Sequence, residues 1–163
     1  MNDSPLYLRQ AKALCRAKIN LFLDVTGRRE DGYHEIETVM QSVELSDLLT
    51  VTLTDDGRDR LRVYCLSPDF PAGENSTVHK AYRAFRELCH EPLSAEIALE
   101  KRIPSCAGLG GGSADAAGTL AALSLLTGTP ASDDELRSAA ASVGADVPVC
   151  LSGGRRICRG IGD

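Results

Sequence analysis

The segment from Pro104 to Asp115, PSCAGLGGGSAD, constrains this chain more than any other, because it lies between a strand pattern and an apolar helical pattern. Gly108, Gly110, Gly111 and Gly112 lack the Cβ atoms that would hold the backbone away from a ligand, and they permit positive φ. A helix opening near Ser113 turns its unpaired N–H groups and positive dipole end toward that loop. Loop and helix start together predict a cradle for a polyphosphate. A flexible glycine linker is the plainer alternative, but a linker has no reason to join a strand to a buried helix. No Gly-Lys-Ser/Thr follows the glycines, so this is not a Walker A loop. Nor does it fit the dinucleotide fingerprint, which needs an acidic residue after a following strand.

Composition narrows what the cradle serves. The 163 residues suffice for one domain with a core and are too few for two ordinary ones. Apolar residues are 43% and charged residues 25%, the balance of a globular chain. A net charge of −5 and a pI near 5.2 argue against a nucleic-acid partner, which would require a basic face. No stretch approaches the ~20 apolar residues that cross a bilayer, and the start lacks a basic and apolar leader. The expectation is therefore no nucleic acid, no membrane and a cytoplasmic location. Six cysteines, none in a C-x-x-C pair, read as free and mostly buried thiols, with Cys106 more accessible inside the glycine loop.

The patterning predicts strands over 14–25, 34–43 and 48–53, with 60–66 completing an antiparallel pair. A helix capped by Asn75 runs to about Cys89, and Pro92 ends it. A strand over 95–100 precedes the glycine loop, and an apolar helix over 113–126 follows it. Ser132 to Glu135 is a capping box that opens another helix. Residues 147–151 read as a strand, Gly153 and Gly154 as a turn, and 156–158 as a returning strand. Strands first and helices later predict an α+β domain over 14–163, preceded by an extension over 1–13.

Two further landmarks accompany the loop: Ala17-Lys18-Ile19-Asn20 near the start, and Gly144-Ala145-Asp146-Val147-Pro148 near the end. With the loop, they resemble the motifs of the GHMP kinase superfamily, whose phosphate loop has the form P-x-x-x-G-L-G-[SG]-[SG]-[SA]. Gly27-Arg28-Arg29 and Asp31-Gly32-Tyr33-His34 bring the resemblance to the branch that acts on a cytidine-diphosphate-linked methylerythritol. The likeness runs from about Leu14 to Asp163.

The resemblance implies a GHMP kinase amino-terminal domain, a mixed or antiparallel sheet packed with helices, using ATP with Mg²⁺ to phosphorylate the 2-hydroxyl of that small molecule in isoprenoid precursor synthesis. It implies that Asp146 accepts the proton of the attacking hydroxyl and that Lys18 stands beside it. A carboxylate is a weak base, so Asp146 would act through position and charge, with Lys18 helping to acidify the hydroxyl. Phosphoryl transfer mostly needs in-line placement and neutralisation of spreading charge. Pro104, Ser105, Cys106, Ala107, Gly108, Leu109, Gly110, Gly111, Gly112, Ser113 and Ala114 would bind ATP, with Asn75 near the adenine. Ser113 also reads as a helix N-cap. Asn20 would line the substrate pocket, and Tyr33 and His34 would hold the cytidine by stacking and hydrogen bonding. Without the resemblance, such a pair after a turn is more often structural. No metal ligand is assigned.

Three departures stand out. Arg16 replaces a proline before the Ala-Lys motif, Ala114 replaces a second serine, and Ser105 and Cys106 stand where glycine or another small residue is common. The resemblance also implies a carboxy-terminal domain missing from this chain, whose absence would expose apolar surface and favour self-association. The alternatives are a non-catalytic fragment or another GHMP small-molecule kinase.

Overall fold

The computed structural model describes residues 9–28, 34–54, 57–71, 73–89, 92–128 and 131–160. Among them the order is β1 (Gln10–Arg28), β2 (His34–Thr54), β3 (Arg60–Cys65), α1 (Thr77–Arg86), β4 (Ser94–Glu100), α2 (Gly111–Thr127), α3 (Asp133–Val143), α4 (Val147–Ser152) and β5 (Arg155–Cys158). β1 begins four residues earlier than the pattern suggests, and the two segments expected over 34–43 and 48–53 are one strand, β2. These two long strands pair antiparallel, from Gln10 opposite Thr52 to Arg28 opposite His34. The sheet runs β1-β2-β4-β3, with β5 on the distal part of β2 at Thr38–Gln41.

β3 pairs with β4 and runs parallel to it, from Arg60 beside Ser94 to Cys65 beside Leu99. The expected antiparallel pairing fails because α1 intervenes: a strand–helix–strand crossover returns the chain in its original direction. The result is a mixed sheet packed with helices, an α+β arrangement. Its core face is made by alternate residues, Leu49 and Val51 of β2 with Ala95, Ile97 and Leu99 of β4. Val78, Ala81 and Phe85 of α1, four and three residues apart on one face, close over them together with Leu120 and Leu123 of α2.

α2 is the central helix, and small residues let it sit close to the sheet. A Cβ on Gly118 would lie 2.4 Å from the Cys15 sulfur. Alanine gains ~1 kcal/mol over glycine in helix propensity, but overpacking costs ~1–3 kcal/mol, so the clash wins. Gly118→Ala is expected to lower the denaturation midpoint without changing the slope of the transition, as measured in urea.

The distal arm of β1 and β2 departs from half-buried alternation. Leu21, Phe22, Leu23 and Val25 all remain about half exposed, although they point to both faces. Three irregularities interrupt the β1–β2 ladder, between Arg16 and Lys18, Asn20 and Phe22, and Val25 and Gly27. At the first of them Ala17 faces Val43, Glu44 and Leu45, and strict alternation breaks: Ala17 and Lys18 are consecutive and both buried.

Three helix ends correct the sequence expectations. The N-cap of α1 is Ser76, whose hydroxyl accepts the His79 N–H; Asn75 precedes it and is exposed. α2 starts at Gly111 with Gly110 as its N-cap, so Ser113 lies inside the first turn. Residues 147–151 are helix α4 and not a strand, with Pro148 in its first turn, where a missing N–H costs nothing. The capping box of α3 forms as expected: Ser132 and Glu135 satisfy each other's backbone N–H groups.

Candidate active site

The glycine loop leaves β4 through Lys101, Arg102 and Ile103 and ends at the start of α2. Cys106, Gly108 and Gly110 all adopt positive φ, at 57°, 72° and 69°. Left-handed backbone at those residues bends the chain so that α2 begins with no side chain capping it. The amides of its first turn have no partner within the helix and face the loop. Residues 103–112 line a cavity of about 410 Å³, and Asp69, Phe70, Pro71, Thr77, Lys101 and Asp115 complete it. Ser113, Ala114 and Asn75 are not among its lining residues, and Ala114 is buried.

Lys18 comes to the other side of Gly110. Its backbone N–H donates to the Leu109 carbonyl at 2.9 Å, which ties β1 to the loop. A Cβ on Gly110 would lie 3.0 Å from Lys18 Cγ and 3.1 Å from Cε, so the lysine stem runs across the glycine face. The ammonium reaches Asp146 Oδ2 at 3.1 Å and donates to Asn20 Oδ1 at 3.0 Å. Asn20 is oriented in turn, because its Nδ2 donates to Thr38 Oγ1 at 2.7 Å, and that hydroxyl donates to the Phe22 carbonyl at 2.7 Å. This relay turns the amide oxygen toward the lysine. Asp146 stands at the N-cap of α4 but makes no capping bond, leaving its carboxylate available on one side. Its side chain is 30% exposed against 10% for Lys18.

Lys18, Asn20 and Asp146 thus meet, 128 residues apart in sequence at the extremes, beside the loop. His34 does not join them: it opens β2 at the far end of the hairpin, exposed and opposite Arg28. Tyr33 lies outside the described residues. Cys150, one turn into α4, has its thiol pushed up to about 12 by burial and by Asp146 nearby, so it is no nucleophile.

A second charged group escaped the sequence reading. Lys101 Nζ sits between Asp47 Oδ2 at 2.5 Å and Asp115 Oδ2 at 2.7 Å. Asp47 also accepts the N–H groups of Arg102 at 2.5 Å and Ile103 at 2.9 Å. Burial works against its charge, yet these two amides and Lys101 hold its carboxyl below the usual range. Burial dominates at Asp115 and pushes it up to about 7, against the pull of Lys101. A carboxylate inside an otherwise apolar helix was the available signal for Asp115. Asp47 offered none.

The chain is similar to the GHMP kinases. Residues 76–154 match the family described as GHMP kinases N terminal domain, and the whole described fold agrees with it. Among individual relatives, the 4-diphosphocytidyl-2-C-methyl-D-erythritol kinase of Thermoanaerobacter pseudethanolicus is 43% identical over 156 residues, covering 96% of this chain and 53% of that protein. That of Desulfitobacterium hafniense is 44% identical over 154 residues, 94% of this chain and 51% of that protein. A crystal structure of 4-(cytidine 5'-diphospho)-2C-methyl-D-erythritol kinase superposes with a TM-score of 0.80 at 38% identity, covering 94% of this chain and 53% of that one. The Methanococcus jannaschii mevalonate kinase, at a TM-score of 0.58 and 17% identity, shares the fold; the match covers 92% of this chain and 49% of that one. The chain spans about half the length of the curated relatives it matches. Among the described residues, no helix is long and apolar enough to cross a membrane.

Proposed function

We propose that this chain binds ATP over residues 104–114 and contributes Lys18 and Asp146 to transfer of the γ-phosphoryl group to the 2-hydroxyl of 4-diphosphocytidyl-2-C-methyl-D-erythritol. The observation that carries the reading is the 3.1 Å pair between Lys18 and Asp146, set against Gly110 at the open start of α2. Asp146 accepts the hydroxyl proton as the new O–P bond forms and the bond to the β-phosphate oxygen breaks, releasing ADP. The amides at the start of α2 and the Lys18 ammonium offset the negative charge that spreads over the phosphoryl oxygens. Asn20 keeps the lysine pointed at Asp146, and its place beside that pair supports a role in lining the acceptor pocket. The acceptor's identity is supported by the names of the relatives at 43% and 44% identity.

Mg²⁺ would come with the triphosphate, held mainly by its oxygens and by water, and would neutralise charge on them. Among the described residues, no group of three or more His, Cys, Asp or Glu gathers as a metal site. The roles of Tyr33 and His34 toward cytidine and of Asn75 toward adenine stay part of the proposal, as does the domain division at residue 14. Six cysteines without a C-x-x-C pair support the reducing cytoplasm as its compartment.

A second reading, nucleotide binding without turnover, is favoured by the chain spanning only 53% of its relative. Calorimetry with a non-hydrolysable ATP analogue and an ADP-release assay with the diphosphocytidyl acceptor separate the two. Binding together with acceptor-dependent ADP release is expected. Binding without release, restored in a chimera carrying the remaining half of the Thermoanaerobacter relative, would favour the second reading; no binding at all would overturn both.

A further inference from the structure

We propose that Asp47, Lys101 and Asp115 form a positioning cluster for the phosphate loop, in which Lys101 pins both ends of the loop to strand β2 and so fixes where the amides at the start of α2 point. The inference rests on the reading that those amides receive the phosphates of ATP. The loop has two ends, and the cluster touches each. At the entry, Asp47 accepts the N–H groups of Arg102 and Ile103, the two residues that lead into Pro104. At the exit, Asp115 lies on the second turn of α2, and Lys101 joins the two carboxylates at 2.5 and 2.7 Å. The helix start is also seated directly on this group. A Cβ on Gly111 would lie 3.0 Å from Ile103 Cγ2 and 3.4 Å from Lys101 Nζ, so a side chain there would press on both.

Folding alone does not account for such an arrangement. Asp47 is fully buried and Asp115 is 1% exposed, and placing two carboxylates and an ammonium in a core is costly unless each is fully paired. Here the pairing is incomplete. Two carboxylates share one ammonium, and Asp115 Oδ1 is a buried acceptor with no hydrogen-bond partner among the described residues. Apolar side chains of similar size would hold α2 to the sheet at lower cost. They would not set the direction of the backbone, which the paired bonds from Asp47 to consecutive amides do. The cluster therefore costs stability and supplies direction, at the one place where the direction of the backbone amides matters.

The test uses Lys101→Met and Asp115→Ala, with Asp115→Asn as the conservative variant that keeps an acceptor for Lys101. Hydrogen exchange is read on the ligand-free chain, and affinities for the ATP analogue and for adenosine are read by calorimetry. In the first two variants, amides 114–117, the first hydrogen-bonded amides of α2, are expected to exchange about tenfold faster or more, while amides of α3 keep their rates. Affinity for the analogue should fall about tenfold and that for adenosine should not change, because adenosine lacks the phosphates that the amides would hold. Asp115→Asn should recover most of both. Unchanged exchange over 114–117, or an equal rise there and in α3, would overturn the cluster's role. Faster exchange over 114–117 in a chain whose native form binds no analogue would support the cluster and remove the nucleotide reading instead.

Discussion

Asp146→Ala is expected to slow phosphoryl transfer by roughly 10²–10⁴-fold, the usual contribution of a positioned general base. Affinity for the ATP analogue should stay within about threefold, because Asp146 approaches the Lys18 ammonium and is not among the residues lining the nucleotide cavity. The change should also cost some stability, because the Lys18 ammonium, only 10% exposed, is left with the Asn20 oxygen when Asp146 goes. Lys18→Met should cost transfer to a similar degree. The double variant should be little worse than either single one, since both residues serve one step and their effects do not add. Rates of ADP release in the presence of the acceptor, in this chain or in the chimera, check the prediction. A variant lacking Asp146 that turned over at the native rate would remove it from the chemistry.

Gly110→Ala should damage the site through geometry. At φ +69° an added Cβ costs roughly 1–2 kcal/mol of backbone strain. It also meets the Lys18 stem at 3.0 and 3.1 Å, closer than ordinary contact, so the lysine must shift. Relief of such a contact takes a shift of a few tenths of an ångström, so the loss of rate should stay below the ~10²-fold that a 1 Å misplacement costs. Gly108 supplies the control. Its φ is +72°, yet a Cβ there meets nothing within 4 Å. Gly108→Ala should therefore share the strain and spare the lysine. Equal losses of transfer in the two variants would show that contact with Lys18 is unimportant. Melting temperatures and ADP-release rates measured side by side decide it.

Local chemistry in the sequence foretold local structure well. The glycine loop was legible because residues free of a Cβ suit a bend made at positive φ, although Cys106 takes that conformation with a Cβ. The α3 capping box was legible because its two partners sit three residues apart. Residues 147–151 were misread for a physical reason: a short run of valine, cysteine and leucine has no measurable period, and burial alone fits strand or helix. Pro148 was the better guide. Ser76 and Asn75 are both capping residues, and side-chain type alone does not separate adjacent candidates. The pairing of β3 beside β4 depends on the crossover through α1, which no local pattern encodes. The Asp47–Lys101–Asp115 group joins residues 54 and 14 positions apart, and nothing in the text of the chain marks them as neighbours. Lys18 and Asp146 were legible only through resemblance, since their meeting is equally remote.

The mismatch in the ladder at Ala17 has a consequence for how this site tolerates change. Lys18 lies opposite Ser42, where an unbroken ladder would put Glu44, because β2 spends three residues where β1 spends one. That offset is a matter of chain length, so exchanging side chains at Val43, Glu44 or Leu45 leaves it standing. Removing one of them leaves two residues opposite Ala17, an odd offset that turns the distal residues of β2 to the opposite face, among them Thr38, which orients Asn20. The site is thus more exposed to a lost codon in β2 than to most single substitutions beside it.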